Sequence, residues 1–109
     1  MIVVRIILNA LPEKRLEIMQ TLLSMTEAAK KELGCLSYDA FCDIEDKNCF
    51  TLLQQWESRE HLDNHLRSHR FSVLLGIKML LCEPPEIQIY TVIRMEGMET
   101  VHATRDKGK

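Results

Sequence analysis

The order of hydrophobic patterns along these 109 residues predicts one α+β domain of β-α-β-β-α-β order. Three observations carry that prediction. The chain opens on a β-branched run with no helical period, Ile2-Val3-Val4 to Asn9. A stretch of helical period follows and stops at a glycine, Gly34. Two strand-like runs then flank a polar turn, and the second ends at Gln55-Trp56-Glu57-Ser58, where helical spacing resumes.

The elements follow in order. Met1 to Asn9 reads as a strand buried on both faces except at Arg5 and Asn9. Leu11-Pro12 ends it, and Pro12 with acidic Glu13 suits a first helical turn. From Glu13 to Leu33, Leu16, Met19, Leu23 and Thr26 recur on one stripe, joined by Ile18, Leu22, Met25 and Ala29. Lys30 and Lys31 fall in the predicted last turn, and Gly34 reads as a residue able to take a positive φ. Leu36 to Cys42 and Cys49 to Glu57 form an antiparallel pair across Asp43–Asn48. Phe50, Leu52, Gln54 and Trp56 share one face of the second run, and Thr51, Leu53, Gln55 and Glu57 the other. Ser58 is a good N-cap for a helix carrying His61, Leu62, His65 and Leu66. A break is expected at Arg67-Ser68-His69, then a second helical piece from Phe71 to Leu81 that Pro84-Pro85 stops. Ile87 to Arg94 is the fourth strand. Residues 95–109 are polar without a clear period and are expected to be an extension or frayed tail.

Two helices alternating with four strands in this order give a ferredoxin-like split βαβ, with both helices on one face of the sheet. The other face still carries apolar side chains. Left bare it would expose a patch above a few hundred Å², so a homodimer through the sheet faces is expected.

Composition bounds the function. The net charge is −2 and no basic stripe is visible, which argues against nucleic acid as a partner. No apolar run approaches a membrane span, and the apolar start has neither a basic flank nor a cleavage site, so a cytoplasmic address is the default. Cys35, Cys42, Cys49 and Cys82 contain no C-x-x-C pair. Cys42 and Cys49 are placed to face each other across the hairpin. All four are expected to be structural thiols.

Gly34-Cys35-Leu36-Ser37-Tyr38, then Gln55-Trp56-Glu57-Ser58 with His61-Leu62, His65-Leu66 and Phe71 spaced behind, resemble the antibiotic biosynthesis monooxygenase family, quinol monooxygenases included. The resemblance covers about residues 1–94, and it is carried by order and spacing. It implies a dimeric α+β barrel with a pocket between sheet and helices. It also implies oxidation of quinols or polycyclic phenols by O₂ with no bound cofactor. A haem-degrading branch of the same superfamily has Trp where this chain has His65 and a haem-ligating His where it has Leu75, which disfavours that chemistry here. His69 stands where members of the family have proline, which leaves the geometry of the helix break open.

Ground-state O₂ is a triplet, and a phenolate can meet it by giving up one electron. The protein then needs to hold the aromatic, take a proton and keep water out. His65 is the candidate base, with Trp56 as a flat wall and N–H donor. Asn9, Tyr38 and Gln54 are the candidate substrate-binding residues. Blander readings stand beside these. Trp56 is as consistent with plain core, His65 with a helix–strand hydrogen bond, and Asn9 with the end of a strand. The His61-His65-His69 ladder lacks an acidic or Cys ligand, so no metal is expected. Arg5 is placed to pair with Glu57. The rival reading is a ligand-binding or structural barrel without turnover.

Overall fold

In the computed structural model, which describes residues 1–108, four strands build one antiparallel sheet. They are β1 (Ile2–Asn9), β2 (Cys35–Cys42), β3 (Cys49–Trp56) and β4 (Glu86–Thr91), in the order β2-β3-β1-β4. This is the ferredoxin-like α+β arrangement expected from the element order. The fourth strand is shorter than predicted, ending at Thr91 rather than Arg94.

β1 alternates strictly. Ile2, Val4, Ile6 and Leu8 are buried on the helix-covered face, while Val3 and Ile7 are only half-buried and Arg5 is exposed. Within one chain, then, the strand is not buried on both faces. The second face carries Val3, Ile7, Leu53, Phe41 and Tyr90, with Arg5 donating to Gln88 across it. Arg5 lies opposite Leu53 and Gln88, so the expected pairing with Glu57 does not form.

A 3₁₀ turn at Pro12–Lys14 leads into α1 (Arg15–Ala29). The helix is shorter at both ends than its apolar period suggested. Lys30 and Lys31 already belong to the turn that follows. The buried line is Ile18, Leu22, Met25, Thr26 and Ala29, spaced four, three, one and three residues apart. Leu16 and Leu23 are rotated off it and are 61% and 60% exposed, which corrects their assignment to the core stripe.

α2 (Arg59–Leu66) and α3 (His69–Gly76) are separate helices joined where the break was expected. Ser58 caps the first, accepting from His61 N–H. Ser68 caps the second, accepting from Phe71 N–H while its own hydroxyl donates to the His65 carbonyl at 2.6 Å. A 3₁₀ turn at Ile77–Leu80 completes the segment that was read as one helix to Leu81.

The tail differs from expectation. Residues 98–107 form a helix, α4 (Met98–Lys107). Local polar contacts hold it: Glu99 accepts from Gly97 N–H and Glu96 from the Thr100 hydroxyl. The hydrogen bonds from the backbone N–H groups of Gly97 and of Glu99 itself keep the Glu99 carboxyl below its ordinary range. Among the described residues no helix is long and apolar enough to cross a membrane.

The cysteines also depart from one expectation. Cys42 lies opposite Phe50 in the β2–β3 register, so Cys49, one residue along, projects from the opposite face. All four thiols are free. Burial pushes the thiols of Cys35 and Cys49 up, away from the reactive thiolate.

Candidate functional site

The site grows from one glycine. Gly34 has φ +82°, a conformation that favours glycine, and it turns the chain from α1 into β2. Its carbonyl accepts from Glu57 N–H at 2.9 Å, which ties this turn to the end of β3. A Cβ at residue 34 would run into the His61 ring, so the missing side chain lets α2 settle directly on the turn. His65 sits one helical turn beyond His61 and comes down over Glu32, the residue two before the glycine.

Both carboxylate oxygens of Glu32 accept from His65 Nδ1, at 3.0 and 2.9 Å. Arg70, in the first turn of α3, meets the same carboxylate at 2.7 Å. The row Arg70–Glu32–His65 thus joins both helices to the end of α1. With Nδ1 donating to Glu32, the free ring nitrogen is Nε2, and its lone pair is available.

The imidazole is only 1% exposed and three rings enclose it. Trp56 lies 4.7 Å away by centroids at a 30° tilt. Tyr38 at 5.8 Å and Phe71 at 5.7 Å meet it edge-on. Below it, Tyr38 and Gln54 are direct cross-strand neighbours on the helix-covered face. Trp56 Nε1–H donates to Gln54 Oε1 at 3.0 Å, so this donor is engaged within the sheet.

Three buried polar atoms here have no partner among the described residues: His65 Nε2, Tyr38 Oη and Gln54 Nε2. Burial, and after it the Glu32 charge, push the Tyr38 phenol up to about 12. Tyr38 therefore keeps its hydrogen and stays a donor at neutral pH.

The structure brings four of the sequence candidates together: His65, Trp56, Tyr38 and Gln54. Asn9 is apart from them. β1 begins opposite Trp56 and ends with Asn9 opposite Cys49, and seven residues of strand span roughly 23 Å. The Asn9 amide instead donates to Glu83 at 2.7 Å. The histidine ladder diverges too. His61 turns to Ser58 Oγ at 2.8 Å, and His69 is exposed. Glu32 and Arg70 were missed from the sequence, where nothing local links Glu32 to a histidine 33 positions away.

A cleft of about 430 Å³ opens beside this cluster, between α1 and the α2–α3 joint. Met25, Ala28, Ser68 and Arg70 are among its walls, so Arg70 is shared between the cleft and the buried row.

The family model of antibiotic biosynthesis monooxygenases matches residues 1–74, which include β1 to β3, α2 and Arg70. An uncharacterised protein of Synechocystis sp., sll1783, is 30% identical over 88 residues, 80% of this chain; the chain spans 60% of that protein's length. A conserved protein of Methanosarcina mazei has a solved structure 32% identical to this chain, with a TM-score of 0.77 over 82% of this chain and 89% of its own. A solved antibiotic biosynthesis monooxygenase, 23% identical, has the same fold, with a TM-score of 0.79 over 86% of this chain and all of its own. Sequence pattern and fold agree over the segments that build the His65 cluster, and this chain belongs to the antibiotic biosynthesis monooxygenase family.

Proposed function

We propose that this protein is a cofactor-independent monooxygenase that oxidises a quinol-like or polycyclic phenolic substrate with O₂. The observation that supports it most is the buried Glu32–His65 pair with Nε2 free. A phenol ionises near pH 10, so favouring its anion at neutral pH takes about 4 kcal/mol. His65 Nε2 accepts the phenol proton, and Glu32 meets the imidazolium that forms. The phenolate gives one electron to O₂, and the resulting radical pair combines at a ring carbon bearing hydrogen. The peroxide takes back the proton and loses water, leaving a carbonyl. One oxygen atom enters the substrate and the other leaves as water with two substrate hydrogens, so no external reductant is required.

The test is oxygen uptake by protein free of flavin, metal and haem, against a quinol and anthrone panel. His65→Ala is expected to lower the rate by about 10²–10⁴-fold. No uptake above the spontaneous rate across the panel sinks the reading. The enclosure of His65 by three rings favours a second reading, a ligand-binding or structural barrel without turnover. On that reading His65→Ala lowers the melting temperature and there is no uptake to lose.

The protein is further read as a cytoplasmic homodimer joined through the helix-free sheet face. Its free thiols suit a reducing compartment. The apolar side chains of Val3, Ile7 and Leu53 on that face suit a second copy. Sedimentation should show a dimer that Leu53→Asp converts to monomer; a wild-type monomer at micromolar concentration removes this part.

A further inference from the structure

We infer that the cleft between α1 and the first turn of α3 binds an anionic amphipathic molecule, a monocarboxylate with an apolar body, and that Arg70 holds its carboxylate. The site is a surface cleft, distinct from the ring of aromatics around His65, and it is independent of the proposed oxidation.

The cleft holds about 430 Å³, within the usual range for a small-molecule site. Its walls divide by chemistry. Met25 and Ala28 on α1 and Val73 on α3 make the apolar part. Val73 is 43% exposed, so its methyl groups meet water until something covers them. Ser24, Ser68, His69 and Arg70 make the polar part. Among the described residues, the walls carry a guanidinium and an imidazole and no carboxylate, which suits an anion and not a cation.

Arg70 supplies the charged end. Its Nη1 meets Glu32 Oε2 at 2.7 Å, and a guanidinium has five N–H groups, which leaves donors for a second carboxylate. The side chain is 35% exposed and lines the cleft, so that carboxylate can reach the fork while Glu32 keeps its place. The Ser68 hydroxyl is already engaged with the His65 carbonyl and Phe71 N–H, so Ser24 and His69 are the further polar groups. Both kinds of wall border one cleft, and this selects a ligand with both kinds of surface. An amine meets Arg70 with the wrong sign. Inorganic phosphate satisfies the fork and leaves the apolar walls in water. An alcohol of the same length covers those walls and brings no charge.

The experiment is isothermal titration calorimetry of the full chain with octanoate, octanol and octylamine at neutral pH, with backbone amide chemical shifts to locate the ligand. Octanoate should bind saturably and at least about tenfold more tightly than octanol, and octylamine should not bind saturably. The amide shifts should centre on residues 24–28 and 68–73. Arg70→Gln should weaken octanoate at least about tenfold. That change also removes a partner of Glu32, so Val73→Glu is the second variant. It alters an exposed position, keeps Arg70 and sets a carboxylate in the cleft, and it should abolish octanoate binding without a fall in melting temperature. Absence of saturable octanoate binding, equal affinity for octanoate and octanol, or displacement of octanoate by an equal concentration of inorganic phosphate overturns the inference. So does a folded Val73→Glu protein that binds octanoate as the wild type does, or a set of shifts confined to Val3, Ile7 and Leu53, because the ligand then sits elsewhere. None of these readouts involves oxygen uptake, so the cleft and the monooxygenase fail separately.

Discussion

Glu32→Gln keeps the shape of the side chain and removes its charge, which isolates what the carboxylate does for His65. In the wild type Nδ1 donates to both oxygens, and Arg70 meets Oε2 at 2.7 Å. Glutamine offers a single carbonyl oxygen to these two donors. Arg70 is always charged and presents five N–H groups, so it claims that oxygen. The amide NH₂ then takes the place of Oε1, 3.0 Å from Nδ1, where it favours the ring whose hydrogen has moved to Nε2. The base is lost by tautomer change without any side chain moving far. Loss of the charged partner removes a hydrogen bond worth about 1.5–3 kcal/mol to the imidazolium, a rate factor of about 10–10². The tautomer penalty multiplies it, and the comparable Asp-to-Asn change in a serine-protease triad costs about 10⁴. A fall in kcat of about 10²–10⁴ is therefore expected, with KM little changed because Glu32 is a positioning residue that does not touch substrate. Initial rates from an oxygen electrode, taken across pH, provide the measurement, and Glu32→Asp should recover part of the rate by restoring the charge. A Glu32→Gln enzyme with kcat within about threefold of wild type, in a site that still turns over through His65, would refute the tautomer argument.

Two further predictions concern stability. Tyr38 has its phenol raised to about 12 in the folded chain against about 10 unfolded, so between those values the unfolded state binds fewer protons. Its contribution is complete below pH 10 and is lost as pH rises towards 12, about 2–3 kcal/mol in all. Denaturant melts between pH 8 and 11.5 should show this loss, Tyr38→Phe should flatten it, and equal slopes for the two proteins would count against the burial of the hydroxyl. Gly34→Ala combines a left-handed conformation costing about 1–2 kcal/mol with a methyl group pressed into the His61 ring, for a total of about 2–4 kcal/mol. A loss under about 0.5 kcal/mol in chemical denaturation would mean that α2 does not rest on this turn.

Much of the scaffold was legible because it depends on local chemistry. Ser58 and Ser68 cap helices by reaching their own third residue, and Gly34 takes a backbone conformation that favours glycine. The period-2 pattern of β3 put Gln54 and Trp56 on the buried face with Phe50 and Leu52. What failed depended on register or on tertiary approach. The turn after β2 is drawn tight by the Asp43 carboxylate, which accepts from Glu45 and Asp46 N–H, and by Cys49 N–H bonding back to Asp46. That geometry pairs Cys42 with Phe50, and a turn read only as polar does not specify it. Asn9 was recoverable: in an antiparallel pair the last residue of β1 must lie at the end of β3 away from Trp56. Leu16 and Leu23 fit a helical period, but the face of α1 that meets the sheet is decided by where the sheet lies.

On the proposed function, the same row of side chains bears on how a ligand would reach His65. The sheet side of the cluster is the least yielding, since Tyr38, Gln54 and Trp56 stand on strands paired along their lengths. The other side is the joint between α2 and α3, held by Ser68 and by Arg70 on Glu32. The Arg70 side chain is 35% exposed and that of Glu32 20%, so this ion pair is screened and contributes on the order of 1 kcal/mol or less. The His65–Glu32 bond is deeper and better shielded, with the imidazole side chain fully enclosed. Arg70 is the more exposed partner of Glu32, and it also lines the 430 Å³ cleft. Swinging it outward removes one of the two donors on Glu32 Oε2 and leaves both oxygens on Nδ1, so the cluster can open without disturbing the tautomer that leaves Nε2 free to accept. Glu32 joins the two helices because its carboxylate meets His65 of α2 with both oxygens and Arg70 of α3 with Oε2 at the same time.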